Sequence, residues 1–211
     1  MIPSKDEMYK ALEERHGKEL QKLFSEASVV ICGLGGLGSN VAVSLARAGI
    51  GRIHLIDFDR VDISNLNRQQ YFPGQLGQYK ADALLDTLKK IAPYCDITSQ
   101  TVKLDEENIP VLLADFPIVC ECFDNAEQKA MLVNSVLENF PDKKLVAASG
   151  MAGLDSAKMI VTRRIAKNFW LCGDGKSDVG DGLGLISARV AVCAAHQAAM
   201  VLRIISGETD A

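Results

Sequence analysis

A glycine-rich loop between a strand and a helix constrains the fold of this chain most strongly. Gly33-Leu34-Gly35-Gly36-Leu37-Gly38 follows the short apolar strand Ser28–Cys32 and opens the helical pattern Gly36–Ala48. Glycines allow a tight turn, and the free N–H groups at the helix end can then face a phosphate. Asp57 ends the next strand, 19 residues after Gly38, where its carboxylate can accept hydrogen bonds from ribose hydroxyls. The loop and the acid predict a nucleotide site formed by Gly33, Gly35, Gly36, Gly38 and Asp57, with NAD, FAD and ATP all open.

Strand and helix patterns alternate along the whole chain. We predict strands at 28–32, 52–57, 96–102, 117–122, 145–149 and 157–162. Helices are predicted at 4–26, 36–48, 80–91, 106–114, 126–140 and 187–205. Alternation of this kind indicates a Rossmann-like α/β fold, a mainly parallel sheet with helices on both faces. We expect one domain over 1–211, with an N-terminal helical segment at 1–27 and a mobile Gly/Asp-rich loop at 171–184.

Composition narrows the class of protein. Of the 211 residues, 48% are hydrophobic and 24% are charged, which is typical of a globular protein. The net charge of −4 provides no basic stripe to neutralise phosphates, so we expect no nucleic-acid partner. No apolar run approaches the roughly 20 residues that span a bilayer, and the charged N-terminus lacks the apolar core of a signal peptide. We therefore expect a cytoplasmic protein with no membrane partner.

The cysteines and histidines give no metal pattern. Three of the six cysteines, Cys32, Cys120 and Cys122, lie in strand-like apolar runs, where a thiol packs as a small hydrophobic group. Cys193 lies on an apolar helix face and is also expected in the core. No C-x-x-C pair is present, so a four-thiolate zinc site is not expected. The three histidines are scattered and form no metal-spaced pair.

A long polar loop after Asp57 favours ATP over a dinucleotide. A dehydrogenase would normally enter its next helix soon after this acid, whereas here the polar segment continues to Gln69. Asn65 and Arg68 could reach a triphosphate, and Lys80 could add a second cation from the start of the next helix. Such fixed cations stabilise the charge that develops on a leaving pyrophosphate. The loop also contributes Asp59 and Ser64 to the candidate ATP-binding residues.

A second polar pair, Asp124-Asn125, directly follows the apolar strand at 117–122. It should face the same crevice, because ligands bind beyond the carboxyl ends of parallel strands. Carboxylate oxygens suit hard cations, so Asp124 is the candidate ligand for Mg²⁺, with Asn125 beside it in the nucleotide site.

These motifs resemble those of the ThiF/MoeB/ubiquitin-activating (E1-like) superfamily. The resemblance rests on GLGGLGSNVAVSLARAGIGRIHLIDFDRVDISNLNRQ, GQYKAD and FDNAEQK, and it extends over nearly the whole chain. The ending CGDGKSDVGDGLGLISARVAVCAAHQAAMVLRIISGE looks most like compact ThiF proteins of thiamine biosynthesis. The resemblance implies an enzyme that adenylates the C-terminal glycine of a small ubiquitin-like, ThiS-like sulfur carrier.

The resemblance also implies roles for single residues. Gly36 would pack on the phosphates and Asp57 would hold the ribose. Asn65, Arg68 and Lys80 would contact the triphosphate, with Arg68, Lys80 and Asp124 as the catalytic set and Asp124 holding Mg²⁺.

The chain departs from the superfamily pattern at three points. Many relatives bind structural zinc through two C-x-x-C pairs, which are missing here, so we expect no zinc. Relatives pair as homodimers and supply an N-terminal arginine to the neighbouring subunit's ATP; Arg15 is the candidate, although its spacing to Gly33 is short. Some relatives use a cysteine that links covalently to the carrier, and Cys172, in the predicted loop, is the candidate.

Alternatives remain open from the sequence. An E1-like enzyme of this type could activate another carboxylate, on a molybdopterin carrier or on a tRNA-linked threonylcarbamoyl group. The glycine loop and Asp57 alone would also allow an NAD(P)-linked oxidoreductase. A non-catalytic scaffold that keeps the nucleotide fold is the third class.

Overall fold

The computed structural model describes residues 2–211, which form a seven-stranded sheet. The strands are β1 (Ser28–Cys32), β2 (Arg52–Ile56), β3 (Asp96–Gln100), β4 (Ile118–Glu121), β5 (Lys144–Ala148), β6 (Val161–Ala166) and β7 (Phe169–Gly173). Their order is β3-β2-β1-β4-β5-β7-β6. Neighbouring strands are parallel except at the edge, where β6 runs antiparallel to β7. The predicted fold class, a mainly parallel Rossmann-like sheet, is confirmed.

Helices cover both faces of the sheet. They are α1 (Lys5–His16), α2 (Lys18–Glu26), α3 (Gly36–Ala48), α4 (Lys80–Ile91), α5 (Ile109–Leu112), α6 (Ala126–Asn139) and α7 (Ser187–Ile205). Apolar side chains of α3, α4 and α7 pack in one core cluster with one face of the strands, including Ile31 and Leu55. Side chains of α5 and α6 pack in a second cluster on the other face with Val30 and Val119. Strands buried on both faces explain the continuous apolar runs in the sequence.

The strand register brings several loop starts together at one edge. Cys32 at the end of β1 is opposite Ile56 of β2 on one side and Glu121 of β4 on the other. The chain crosses from β2 and β3 on one side of β1 to β4 and β5 on the other. Such a switch point opens a crevice beyond the carboxyl ends of the strands. The glycine loop, Asp57 and the turn after Glu121 all start there.

Two helix and strand predictions were wrong. The single helix predicted at 4–26 is broken into α1 and α2 at Gly17, whose φ of 86° lies in the left-handed region that favours glycine. The strand predicted at 157–162 is a 3₁₀ turn, Ala157–Met159, followed by β6. Strand β7 was missed: the loop was predicted to begin at 171, inside the strand, and residues 169–170 were assigned to no element. Cys172 therefore lies in a strand, and the loop itself begins after Gly173.

One apolar segment does approach the length that spans a membrane, contrary to the expectation from the sequence. By length and composition, one helix among residues 2–211, the 19-residue α7, is apolar enough to cross a bilayer. In this structure α7 packs against α3 and the sheet, and it buries the polar residues Arg189 and Gln197. A core helix meets the same criteria of length and composition.

Candidate active site

A cavity of about 380 Å³ occupies the switch point. Its wall is built from segments that follow the five parallel strands β1 to β5, together with the loop after β7. Of the predicted site residues, the wall contains Gly33, Gly35, Gly36, Asp57, Asp59, Arg68, Lys80, Asp124 and Asn125. Residues far apart in the sequence thus meet at the edge where the alternating pattern placed them.

Asp57 is buried and holds the glycine loop. Its Oδ2 accepts a hydrogen bond from the N–H of Leu34 at 2.6 Å, and its Oδ1 accepts one from the N–H of Asp59 at 2.7 Å. Burial raises the pKa of Asp57, while the nearby Lys80 ammonium and the two backbone donors oppose that rise. Each carboxylate oxygen has a further lone pair with which to accept from a ligand hydroxyl.

Two glycines of the loop are required by close packing. A Cβ on Gly36 would lie 2.9 Å from Cγ1 of Val190, and a Cβ on Gly38 would lie 1.9 Å from the carbonyl oxygen of Gly33. The cavity wall formed by residues 2–211 does not include Gly38, which lies behind it. Gly38 therefore shapes the turn from within, whereas Gly33, Gly35 and Gly36 face the cavity.

Lys80 is a buried cation at the start of α4. Only 6% of the residue is exposed, and its Nζ donates to Oδ2 of Asp59 at 2.8 Å. The Asp59 side chain is 50% exposed, so this ion pair opens onto the cavity. An entering polyphosphate can therefore compete with Asp59 for the ammonium group.

The polar loop after Asp57 divides into wall residues and framework residues. Arg68 lines the cavity, and its guanidinium donates to the carbonyl oxygen of Ser64 at 3.0 Å and to Asn67. Ser64 and Asn65 were predicted as nucleotide ligands, but the wall that residues 2–211 form includes neither. Their side chains instead hydrogen-bond to Asp62, closing a short turn.

Gln69 was not singled out from the sequence, yet it lines the cavity. It is 8% exposed, and in the described part of the chain its Oε1 has no hydrogen-bond partner. An unpaired buried amide oxygen beside a phosphate loop is available to a ligand donor. Its position directly after Arg68 in the polar loop was the available signal.

Asp124 and Asn125 form the turn between β4 and α6. Asp124 is exposed at the cavity wall, while Oδ1 of Asn125 caps α6 by accepting the Gln128 N–H at 2.9 Å. Mg²⁺ is usually bound by one or two carboxylates together with substrate phosphates. The donor set fits that mode: Asp124 supplies the carboxylate, and the neighbouring glycine loop is placed for phosphates. Among residues 2–211, no group of three or more His, Cys, Asp or Glu is arranged to hold a metal ion, and the absence of zinc stays a prediction.

The sequence reasoning missed an ion pair beside Asp124, between buried Glu121 and Lys129 at the cavity wall. Glu121, at the end of β4, is 1% exposed, and both its carboxylate oxygens accept from Nζ of Lys129, at 3.0 and 2.9 Å. Burial raises the pKa of Glu121, and the Lys129 ammonium opposes the rise. An acid inside the apolar run Ile118–Cys122 was the only sequence signal.

The opposite half of the cavity wall is held by a second buried ion pair. Nη2 of Arg189 donates to Oδ2 of Asp174 at 2.6 Å, and the same arginine donates to the carbonyl oxygens of Asp155 and Ser156. Asp174 also accepts from the N–H groups of Lys176 and Ser177. These bonds tie together the loop after β5, the loop after β7 and the start of α7.

Neither Cys172 nor Arg15 lies where the predicted role would need it within one chain. Cys172 is fully buried in β7, and burial raises the pKa of its thiol to about 11. It is therefore not a loop nucleophile.

Arg15 is exposed on α1, which packs through Leu12 near Gly49 at the C-terminal end of α3. The cavity lies at the other end of α3. The other cysteines predicted in the core, Cys32, Cys120, Cys122 and Cys193, are buried as predicted.

A glycine loop at a helix start, an acid after the second strand and a switch-point cavity define a nucleotide-binding α/β protein of the doubly wound class. The chain belongs to the ThiF family, whose model matches residues 9–211. The resemblance seen in the sequence is thereby confirmed.

Two curated proteins and one solved structure illustrate what this chain is similar to. The molybdopterin-synthase adenylyltransferase of Salmonella typhimurium is 37% identical over 115 residues, which cover 54% of this chain and 46% of that protein. The adenylyltransferase and sulfurtransferase UBA4 of Candida glabrata is 33% identical over 163 residues, covering 71% and 37%. This chain thus matches less than half the length of these curated relatives. Among solved structures, the E. coli tRNA N6-threonylcarbamoyladenosine dehydratase TcdA, in complex with ATP, has a TM-score of 0.87 at 22% identity and 98% coverage of both chains.

Proposed function

We propose that this chain is an ATP-dependent adenylyltransferase that activates a carboxylate as an acyl-adenylate and releases pyrophosphate. The observation that carries the proposal is the convergence of Arg68, Lys80 and Asp124 with the glycine loop around one cavity. These residues come from three separate segments, so chance proximity is a poor explanation. The names of the adenylyltransferase relatives, and a structural neighbour crystallised with ATP, support it.

The residues suggest how the nucleotide is held. Asp57 would accept hydrogen bonds from the ribose, as acids at this position do in doubly wound folds. The N–H groups at the start of α3 and the side chains of Arg68 and Lys80 would bind the phosphates. Mg²⁺ bound at Asp124 would supply further positive charge to the leaving pyrophosphate.

The chemical step needs little beyond this arrangement. A carboxylate is ionised near pH 7, so its attack on the α-phosphorus requires no general base. A bond forms from the carboxylate oxygen to phosphorus, and the bond to the bridging oxygen of pyrophosphate breaks. Arg68 and Lys80 neutralise the charge that develops on that leaving group, which is where fixed cations contribute most.

We propose that the carboxylate is the C-terminal glycine of a small ubiquitin-like sulfur carrier. The loops after β5 and β7 bring the small residues Ser149, Gly150, Ala152 and Ser177 to the cavity wall beside the larger Met151, which leaves room for a narrow, extended tail ending in glycine. The relatives are named for molybdopterin synthase and sulfurtransfer, which supports the carrier class without singling out thiamine biosynthesis. The likeness to TcdA keeps a tRNA-linked carboxylate as the alternative.

Carboxylate-dependent exchange of labelled pyrophosphate into ATP tests the proposal. The purified protein is incubated with MgATP and one of three substrates: a ThiS-like carrier, a molybdopterin carrier or threonylcarbamoylated tRNA. We expect exchange with a carrier, an added AMP in its intact mass, and loss of both in Asp124→Ala. Exchange with the tRNA and with neither carrier would show that the substrate is a tRNA-linked carboxylate. Protection from thermal unfolding by NADH but not by ATP would indicate an oxidoreductase.

A further inference from the structure

The pair Glu121–Lys129 adjoins the candidate magnesium ligand: Lys129 lines the cavity, and Glu121 is buried next to it. Lys129 contacts both carboxylate oxygens, and the Glu121 side chain is 1% exposed against 21% for Lys129. Buried ion pairs seldom add net stability, because desolvation of both charges offsets their attraction. The pair is better explained by what it holds in place.

Glu121 fastens the Asp124 turn at both ends. Its Oε1 accepts the N–H of Phe123, the residue just before Asp124, at 2.7 Å. On the other side of Asp124, Lys129 stands in the first turn of α6, where its N–H donates to the carbonyl oxygen of Asn125 at 3.0 Å. One carboxylate thus fixes the backbone before Asp124 and the helix after it.

The same turn is packed against the glycine loop. A Cβ on Gly33 would lie 2.8 Å from Cδ1 of Phe123 and 2.9 Å from the carbonyl oxygen of Cys122. From the side of α7, Nε2 of Gln197 donates to the carbonyl oxygen of Glu121 at 3.0 Å. The backbone that carries Asp124 is therefore tied to the segment that would bind phosphate.

We propose that Glu121 and Lys129 are positioning residues that orient Asp124 toward the Mg²⁺ of bound MgATP. This inference rests on the proposed function, which assigns the metal to Asp124. Groups that orient a metal ligand typically change metal affinity by about 10- to 100-fold when they are removed. Removing both charges should therefore weaken the contribution of the metal more than it weakens binding of the nucleotide itself.

Calorimetric titration of the full chain with ATP, once with Mg²⁺ and once with EDTA, measures that contribution as a ratio of two dissociation constants. In Glu121→Gln/Lys129→Met no uncompensated charge is left inside the protein. We expect the ratio to fall by about tenfold toward that of Asp124→Ala, while affinity for ATP in EDTA, to which Lys129 at the cavity wall can contribute directly, changes by less. Lys129→Arg keeps the charge and should keep the wild-type ratio.

Arg52→Met provides the control. It removes an exposed ion pair with Asp96, and neither residue is near the Asp124 turn in the sequence or contacts it. If the double variant does not unfold cooperatively, Glu121→Gln replaces it, since the Lys129 ammonium that it leaves unpaired is partly exposed. A wild-type ratio in these variants, or an equal loss of affinity with and without Mg²⁺, overturns the positioning role. An unchanged ratio in Asp124→Ala instead refutes the metal assignment, and absence of pyrophosphate exchange with every substrate refutes adenylation without affecting these ratios.

Discussion

Lys80 carries its charge in a buried position, so replacing it tests the proposed triphosphate site directly. Its ammonium lies 2.8 Å from Oδ2 of Asp59 and faces the cavity. We expect Lys80→Ala to lower the rate of pyrophosphate exchange by about 10²- to 10³-fold, the usual cost of one lost electrostatic donor. Lys89→Ala is the matched control, because Lys89 is exposed on the same helix. Equal rates in the two variants would remove Lys80 from the site.

The burial of Cys172 predicts an unreactive thiol. With a pKa of about 11, about one thiol in a thousand is ionised at pH 8, and the thiolate is the reactive form. We expect iodoacetamide to label Cys172 at least about 100-fold more slowly in the native protein than in urea, with modification located by peptide mass spectrometry. Cys172→Ser should still form carrier adenylate. Rapid native labelling, or loss of adenylate in the serine variant, would return Cys172 to the reaction.

The residues that sequence reasoning placed correctly at the cavity share one property: their roles follow from position at a strand end. Asp57, Arg68, Lys80 and Asp124 all belong to motifs that directly follow or connect strands. Glu121 could not be placed in this way, since its importance depends on being enclosed between neighbouring strands and helices and on a lysine eight residues later. Burial and pairing of that kind are properties of the packed chain.

At the scale of elements, the Asp174–Arg189 pair connects three segments of the cavity wall. Burial by itself would raise the pKa of Asp174, but hydrogen bonds from Ser177, Lys176 and Arg189 hold it well below its usual range. An acid with a depressed folded-state pKa contributes stability above its unfolded pKa of about 4, and that contribution is lost as the pH falls toward the folded value.

We therefore expect Asp174→Asn to lower the free energy of unfolding by about 3 kcal/mol at pH 7, the typical cost of breaking a buried pair. The difference from wild type should shrink as the pH falls below about 4. Urea unfolding at pH 7 and at pH 3 measures it. Asp155→Asn is the control, because Asp155 is exposed in the adjoining loop and uses only its carbonyl oxygen to accept from Arg189. A difference that does not depend on pH would contradict the ionic explanation.

Element boundaries were predictable where a single signal marks them. Helices α3 and α4 begin and end as the apolar spacing indicates, with Gly49 ending α3. The β6–β7 hairpin was missed because β7 leads without a break into the glycine-rich loop. Gly17 was overlooked since the apolar pattern continues through it, and a single glycine inside such a pattern is often tolerated within a helix.

At the scale of the whole molecule, the doubly wound topology followed from alternation alone. Parallel strands joined by helices cross over in one hand, so few arrangements remain. That rule applies to parallel strands, so it does not predict the antiparallel edge strand β6. The half of the cavity near β5 and β7 was accordingly the least predictable part of the site.

Because of its position, Arg15 can play its predicted role only if a second protomer is present. Helix α1 packs at the C-terminal end of α3, whereas Gly36 and Leu37 line the cavity at its N-terminal end. A 13-residue helix separates the two by about 20 Å. Any contribution of Arg15 to catalysis must therefore come from one protomer to the cavity of its partner, as we propose for a homodimer.

Complementation between two inactive variants tests this arrangement. Arg15→Ala and Asp124→Ala should each lose carrier adenylation, and an equal mixture, unfolded and refolded together, should regain about a quarter of wild-type activity. In a closed two-fold dimer half of the mixed molecules are heterodimers, and each of these has one cavity with both residues intact. Wild type unfolded and refolded in the same way controls for refolding losses. Recovery that stays at the level of the separate variants, or full activity of Arg15→Ala alone, would mean that the cavity works without a residue from a second protomer.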